Sequence, residues 1–317
     1  MRDLKISNHA CPSCGSRRFS AYWYNDHSGL KPILSRPKKL VGFVLPYFNF
    51  MMPKFVGRLK RISGNPFRGR VLVCSNCGHG KLAKPPREDE LLSYYRDEYW
   101  DKRDVTFRGT RTNDFDYARA NCQVQFVKHY LSKNPPRRVL EVGASRAYPL
   151  ELLREEFPRC KLFACEPDNT WQGSYAEREI TQVARLFPFT SKFRFDYIHM
   201  SHCLEHIAEL NETMETLRDL VTQDGFVFVE VPNTGHEYWD LPVSDGPHIH
   251  FFTSTSLRNI FEKFGFRCLE IGEFGITFKE RVEGTSVKPA DYCRRKRKGF
   301  WIRAVFQKVW TPRFKVE

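Results

Sequence analysis

The sequence predicts an α/β protein in which a mostly parallel sheet is wound with helices on both faces and preceded by a small cysteine-bearing module. Three observations predict it. Strand-like and helix-like segments alternate after Pro135-Pro136, the stretch V-L-E-V-G-A-S-R-A-Y-P-L (Val139–Leu150) leads an apolar strand into a turn of small residues, and two Cys-x-x-Cys-Gly knuckles precede them. At 317 residues and 41% hydrophobic, the chain can form one large domain and a smaller module.

The knuckles are Cys11-Pro12-Ser13-Cys14-Gly15 and Cys74-Ser75-Asn76-Cys77-Gly78. In such a turn two thiolates converge while the glycine takes a left-handed backbone, so Cys11, Cys14, Cys74 and Cys77 make a closed tetrahedral set suited to structural Zn2+. Strand-like segments at Arg18–Tyr24 and Arg70–Val73 border them. The remaining six of the ten cysteines are scattered, which suits a reducing compartment. Residues 1–90 are thus expected to form a zinc-ribbon module, with a basic and hydrophobic insertion at 31–70.

That insertion carries ten Lys/Arg and no acid, and residues 286–317 carry ten Lys/Arg against two acids. The chain's net charge is +14, so the rest is acidic on balance and the basic character belongs to these two segments. Leu40–Gly57 is apolar and aromatic with flanking cations, and its Pro46 and Pro53 break any single helix. In the tail, Trp301, Ile302, Val305, Phe306 and Val309 share a face at helical spacing behind Arg294–Lys298. Both read as elements for an anionic membrane surface. No run reaches the about 18 apolar residues of a spanning helix and no signal-peptide core stands at Met1–Ala10. The expectation is a cytoplasmic protein, peripheral at the inner face of the membrane.

Strands are expected at Arg138–Val142, Lys161–Cys165, Phe195–Met200, Phe226–Val231 and Arg267–Ile271, with helices at Leu150–Phe157, Ile207–Val221 and Thr255–Phe264. Ligands of such sheets bind at the carboxyl ends of the strands. The turn after the first strand offers Gly143, Ala144, Ser145 and Ala147, small enough for backbone to approach a ligand, and Glu166 ends the second strand, where a carboxylate meets ribose hydroxyls. Taken alone, this leaves dinucleotide enzymes and methyl-transfer enzymes both open.

Three further segments carry a resemblance. Phe195-Asp196-Tyr197-Ile198-His199-Met200-Ser201-His202-Cys203-Leu204-Glu205-His206-Ile207, Asp224-Gly225-Phe226 through Pro232-Asn233, and His250-Phe251-Phe252-Thr253 with Leu257–Phe266 resemble, in this order, the class I S-adenosylmethionine-dependent methyltransferases. The resemblance covers roughly residues 115–283 and implies a doubly wound, mostly parallel seven-stranded methyltransferase sheet over residues 135–285, a helical linker or lid at 91–134 and a basic amphipathic tail at 286–317. It implies that Glu166 holds the cofactor's ribose, that Gly143, Ala144 and Ser145 lie against its methionine part with Glu141 supporting the turn, and that Ser201 and His202 flank its methionyl end. Ser145 and Ala147 depart from the family's glycines, and Ala147 is tolerable there if its φ is negative.

Methyl transfer to a hydroxyl needs an oriented base, and histidine suits neutral pH. Among His202, His206, His248 and His250, the one expected to serve is His250, with His206 next. A zinc module ahead of such a core, with Tyr94–Trp100 between, resembles bacterial methyltransferases of sugar and surface-polysaccharide biosynthesis. Their carbon-methylating members carry Y-H-E-H-F where this chain has Pro247-His248-Ile249-His250-Phe251. Loss of the Tyr and Glu favours a hydroxyl of a sugar, nucleotide-sugar or lipid-linked glycan. An RNA acceptor is the rival, with a non-catalytic scaffold behind it. Nucleic acid is disfavoured by the absence of an N-P-P-Y-like loop after the fourth strand.

Overall fold

The computed structural model describes residues 3–4, 10–24, 67, 69–94, 115–235, 238–240 and 247–309. The Leu40–Gly57 segment, residues 95–114 and residues 310–317 lie outside the described residues.

The main sheet has seven strands: β5 (Arg138–Val142), β6 (Lys161–Cys165), β7 (Ile180–Ala184), β8 (Phe195–Ser201), β9 (Val221–Pro232), β11 (Phe266–Thr277) and β12 (Gly299–Lys308). Their spatial order is β11-β12-β9-β8-β5-β6-β7. β5 to β9 pair in parallel, and β12 runs antiparallel between β9 and β11. The order reverses at β5, flanked by β6 and β8, so the carboxyl ends of β5, β6 and β8 open the crevice where such sheets take ligands.

Helices cover both faces. α2 (Phe115–Leu131) and α3 (Tyr148–Glu156) pack with Val139, Leu162, Tyr197, Phe228 and Val305. On the other face α5 (Leu210–Leu220) and α6 (Ser254–Lys263) pack with Leu140, Ile198, Val227, Ile302 and Phe306. Residues from one strand reach both layers, as for strands buried on both sides. α6 starts where the sequence places it because Thr253 caps it: its Oγ1 accepts from the Ser256 amide while Ser256 Oγ accepts from the Thr253 amide.

The tail corrects the sequence reading. Residues 299–308 are not an amphipathic helix but the strand β12, with Trp301, Ile302, Val305 and Phe306 all buried. A strand covered on both faces is apolar without alternation, and over so short a run it shows a helical period equally well. The cations before it are partly paired: Arg294 with Asp291 at 3.6 Å, Arg295 with Glu270 at 3.3 Å and Lys296 with Glu280 at 2.6 Å. A second correction concerns cysteine. Cys122 in α2 and Cys293, just before β12, form a disulfide, whereas scattered thiols were expected. The 171 positions between them hide the tertiary neighbourhood.

The N-terminal module is a second sheet, β1 (Asp3–Leu4), β2 (Phe19–Tyr24), β3 (Gly69–Cys74) and β4 (Gly80–Leu82), completed by β10 (His250–Phe251) from the main chain fold. β10 pairs antiparallel with β4, and the Leu82 amide donates to Ile249 O at 2.9 Å. Thr253 Oγ1 donates to Cys77 O at 2.7 Å. The module is therefore fastened to the segment that leads into α6. Of the remaining helices, α1 (Glu88–Tyr94) follows the module, α4 (Gln172–Glu177) precedes β7, and α7 (Phe278–Val282) follows β11.

Candidate active site

The turn after β5 sits at the crevice. Gly143 has φ 73°, as the small-residue turn requires, but Ser145 (44°) and Ala147 (54°) are also left-handed. The expected negative φ at Ala147 is not what the chain adopts. Each non-glycine residue held there costs on the order of 1–3 kcal/mol, so the contacts around the turn must over-determine it. They do: Tyr175 Oη donates to Ser145 O at 2.6 Å, Arg178 Nη1 donates to Arg146 O at 2.8 Å and to Glu151 Oε1 at 2.9 Å, and the Ala147 amide donates to Ala144 O at 2.6 Å.

Glu166, at the end of β6, accepts from the Ser145 amide at 2.7 Å through Oε2 and from the Asp168 amide at 3.0 Å through Oε1. Burial pushes its carboxyl up to about 7 against these two amides. Each oxygen keeps a second acceptor direction, so the carboxylate both ties the turn to β6 and can accept from a diol. Glu141 is buried in β5; burial first, then the nearby Glu166, raises its carboxyl well above the usual range, and the Leu150 amide bonds to it. It braces the first turn of α3 rather than facing the crevice mouth.

Across the crevice, a Cβ on Gly143 would sit 3.4 Å from Cys203, so the segment after β8 packs directly on the turn. Ser201 Oγ accepts from Gln123 Nε2 at 2.8 Å, and Gln123 also donates to Glu230 Oε1 at 2.7 Å. Glu230 is fully buried and faces Arg303, its register partner on β12, in a close ion pair. His202, with φ 50°, places Nδ1 3.2 Å from Glu205 Oε1 and Nε2 3.4 Å from Glu230 Oε1. Burial disfavours its charge, but the two carboxylates raise its pKa overall.

Glu205 is 1% exposed; His202 Nδ1 stands 3.2 Å from its Oε1, and its Oε2 has no hydrogen-bond partner. Its burial opposes ionisation, yet His206, His202 and His248 around it hold the carboxyl down at about 2. His206 Nε2 lies 3.7 Å from Glu205 Oε1 while its Nδ1 donates to Pro247 O at 3.0 Å, and the His206 and His248 rings are 5.1 Å apart. Sequence reasoning quoted Glu205 within its motif without assigning it a role. The available signal was a carboxylate between His202 and His206 in a turn.

His250 does not belong to this cluster. Its Nε2 bonds to Ala208 O at 3.2 Å, and because a carbonyl only accepts, Nε2 carries the hydrogen. Nδ1 then accepts from His79 Nε2 at 3.2 Å, which leaves His79 Nδ1 to accept from Ser13 Oγ at 3.2 Å. Both His250 and His79 are 1% exposed. Both ring nitrogens of His250, expected to be the base, are thus engaged inside the protein, and the side chain links the cysteine module to the Ala208 loop. Burial lowers its pKa to about 4, in keeping with a neutral ring.

The four knuckle cysteines come together as the sequence predicts. Cys11 and Cys77 sulfurs are 3.6 Å apart, as are Cys14 and Cys74, with all four within 4.8 Å. Gly15 (φ 72°) and Gly78 (φ 75°) take the left-handed turns, and their amides donate back to Cys11 O and Cys74 O. Four converging sulfurs with no open position could hold one tetrahedral ion.

Residues 116–271 match the family described as "Methyltransferase domain". No curated protein matches the sequence. Similar solved structures include the plantazolicin methyltransferase BpumL in complex with SAH, at 15% identity over 69% of this chain and 94% of that one (TM-score 0.49). Another is a Burkholderia thailandensis 1,6-didemethyltoxoflavin-N1-methyltransferase, at 16% identity over 74% of this chain and 97% of that one (TM-score 0.48). The match spans α2, the turn after β5 and β5 to β9, so residues 116–271 form a methyltransferase domain.

Proposed function

We propose that the enzyme transfers the methyl group to a hydroxyl of a sugar, a nucleotide-sugar or a lipid-linked glycan, using the His202, Glu205, His206 and His248 cluster to remove the acceptor's proton. The observation that carries the reading is that this cluster lies just past the residue packed on Gly143, at the carboxyl end of β8. A hydroxyl must lose its proton during attack on a sulfonium methyl, which an amine acceptor does with far less help, so a concentration of basic groups beside the cofactor turn favours oxygen. In this reading Gly143, Ala144 and Ser145 approach the methionine part of S-adenosylmethionine, Glu166 accepts from the ribose, and Ser201 and His202 border the methionyl end. The cofactor supplies the electrophilic methyl group. His202, held between Glu205 and Glu230, orients the cluster, and Gln123 fixes Ser201.

The sugar class is supported by the chain's organisation, a four-cysteine module ahead of the core, together with the missing Tyr and Glu of the carbon-methylating pattern. Structural Zn2+ in the Cys11, Cys14, Cys74 and Cys77 set belongs to the same proposal. Binding to anionic membrane now rests on the Leu40–Gly57 insertion alone, since Trp301 to Phe306 are in the core. The test is release of S-adenosylhomocysteine with a panel of nucleotide-sugars, lipid-linked sugars and RNA. Turnover with a sugar acceptor that falls at least 100-fold in His206→Ala, with cofactor affinity kept, supports the reading. Turnover with RNA alone would overturn it.

A further inference from the structure

We propose that Glu205, His206 and His248 form a second metal site, distinct from the cysteine set, that binds a divalent transition ion through one oxygen and two nitrogens. The inference deepens the methyl-transfer reading and rests on it for the role of the ion, though the site itself stands on the geometry alone.

The three ligand atoms lie within 4.8 Å of one another, and Glu205 and His248 are buried. Ligands about 2.1 Å from a shared ion lie roughly 3–4 Å apart, so the set closes around an ion with side-chain adjustments on the order of an ångström. Two further features point to an ion. Glu205 is a buried carboxylate whose Oε2 has no hydrogen-bond partner and whose Oε1 faces only imidazole nitrogens, an arrangement that a cation held among those nitrogens would complete. The Nδ1 proton of His206 is committed to Pro247 O, which turns Nε2 toward the carboxylate, 3.7 Å from Glu205 Oε1. A backbone carbonyl on the far nitrogen is the arrangement that orients metal-binding histidines. His202 Nδ1, 3.2 Å from Glu205 Oε1, supplies the outer support that a ligating carboxylate takes.

One oxygen and two imidazoles suit zinc, manganese, cobalt or iron rather than calcium or magnesium. Three protein ligands leave a position open, unlike the four-thiolate set. An acceptor hydroxyl bound there is acidified and releases its proton to solvent. The resulting oxygen forms the O–CH3 bond as the S–CH3 bond breaks, and the sulfur keeps the electron pair, giving S-adenosylhomocysteine. His206 is then a ligand rather than itself the proton acceptor.

The test is metal stoichiometry on the full chain with Zn2+, Mn2+ and Co2+ as probes, by equilibrium dialysis and elemental analysis, alongside Glu205→Gln and His248→Ala. Two equivalents per chain are expected in the wild type. One should survive in both variants and the other should bind at least 10-fold more weakly. With Co2+, the surviving equivalent should show the intense thiolate charge-transfer bands and the lost one should not. If the wild type takes up only the thiolate-type equivalent at millimolar metal, or if the second equivalent persists undiminished in both variants, the site does not exist. Wild-type stoichiometry decides the matter even if a variant fails to fold. Methyl release is measured separately, so a missing second ion with intact transfer overturns this inference and leaves the proposed function standing, while a second ion without transfer does the reverse.

Discussion

Two histidine groups flank the same loop and differ in one respect. In the Ser13-His79-His250-Ala208 relay every hydrogen meets a lone pair and the last acceptor is a carbonyl. In the Glu205-His206-His248 group, some 40 residues apart in sequence but adjacent in space, a buried carboxylate keeps one oxygen without a hydrogen-bond partner. The first is what a packed interface requires; the second is tolerated where something else is to be bound. Residue type cannot separate them, since His248 and His250 are two positions apart.

The comparison can be broken most decisively at the second group. Glu205→Gln and His206→Ala should cut methyl turnover by about 10²–10⁴, and because the surrounding histidines hold the Glu205 carboxyl below its usual range, folding favours its ionised form and urea unfolding should show a modest loss of stability in Glu205→Gln. A large loss of stability would place Glu205 with the structural groups instead. At the first group the reverse is expected. His250→Ala orphans His79 Nε2 and Ala208 O, costing about 1–3 kcal/mol for each partner left unpaired, with turnover lowered only in proportion to the folded fraction. If it removed turnover from fully folded protein, His250 would return as a catalytic candidate. Cys77→Ser should loosen the module by a comparable amount and release one zinc, since metal binding and folding are linked in so small a unit. Retention of the metal would exclude a four-thiolate site.

The cofactor side sharpens the contrast with smaller effects. Glu166→Ala removes an acceptor for the ribose and the tie to the Ser145 amide, and should weaken S-adenosylmethionine binding about 10-fold or more by calorimetry. Unchanged affinity would move the ribose elsewhere. Ala147→Gly relieves a left-handed alanine and should raise stability by up to about 1 kcal/mol, offset in part by the freer unfolded chain. A lower melting temperature would show that the alanine side chain's packing outweighs its strain.

Deletion of residues 294–317 cannot serve as a test of membrane binding. It removes β12 from between β9 and β11, together with Arg303, the buried partner of Glu230, and should unfold the core. Vesicle co-sedimentation of the intact chain, compared with one carrying neutral substitutions at Lys38 and Lys39, addresses the insertion directly.

Much of the fold was legible in the residues. β5 and β6 fall where their apolar runs predict, α6 begins at its capping Thr253, and the cysteine knuckles converge because a Cys-x-x-Cys-Gly turn is a local structure whose glycine enforces its own geometry. β7 and β12 were not legible. Val183 and Ala184 give β7 little apolar signal, and β12 has no alternation to distinguish it from a helix. The candidate cofactor residues Glu166 and Gly143 to Ser145 were marked by position after a strand, since a sheet of this kind presents the ends of its strands to the ligand. What only the tertiary structure decided is which histidines lie together, that Glu205 rather than His250 neighbours His206, and that the basic tail leads into the sheet. Those outcomes depend on partners far away in the chain, such as His79 for His250, 171 positions off, and Glu230 for Arg303, and long-range contacts leave no period or spacing in the chain that could announce them.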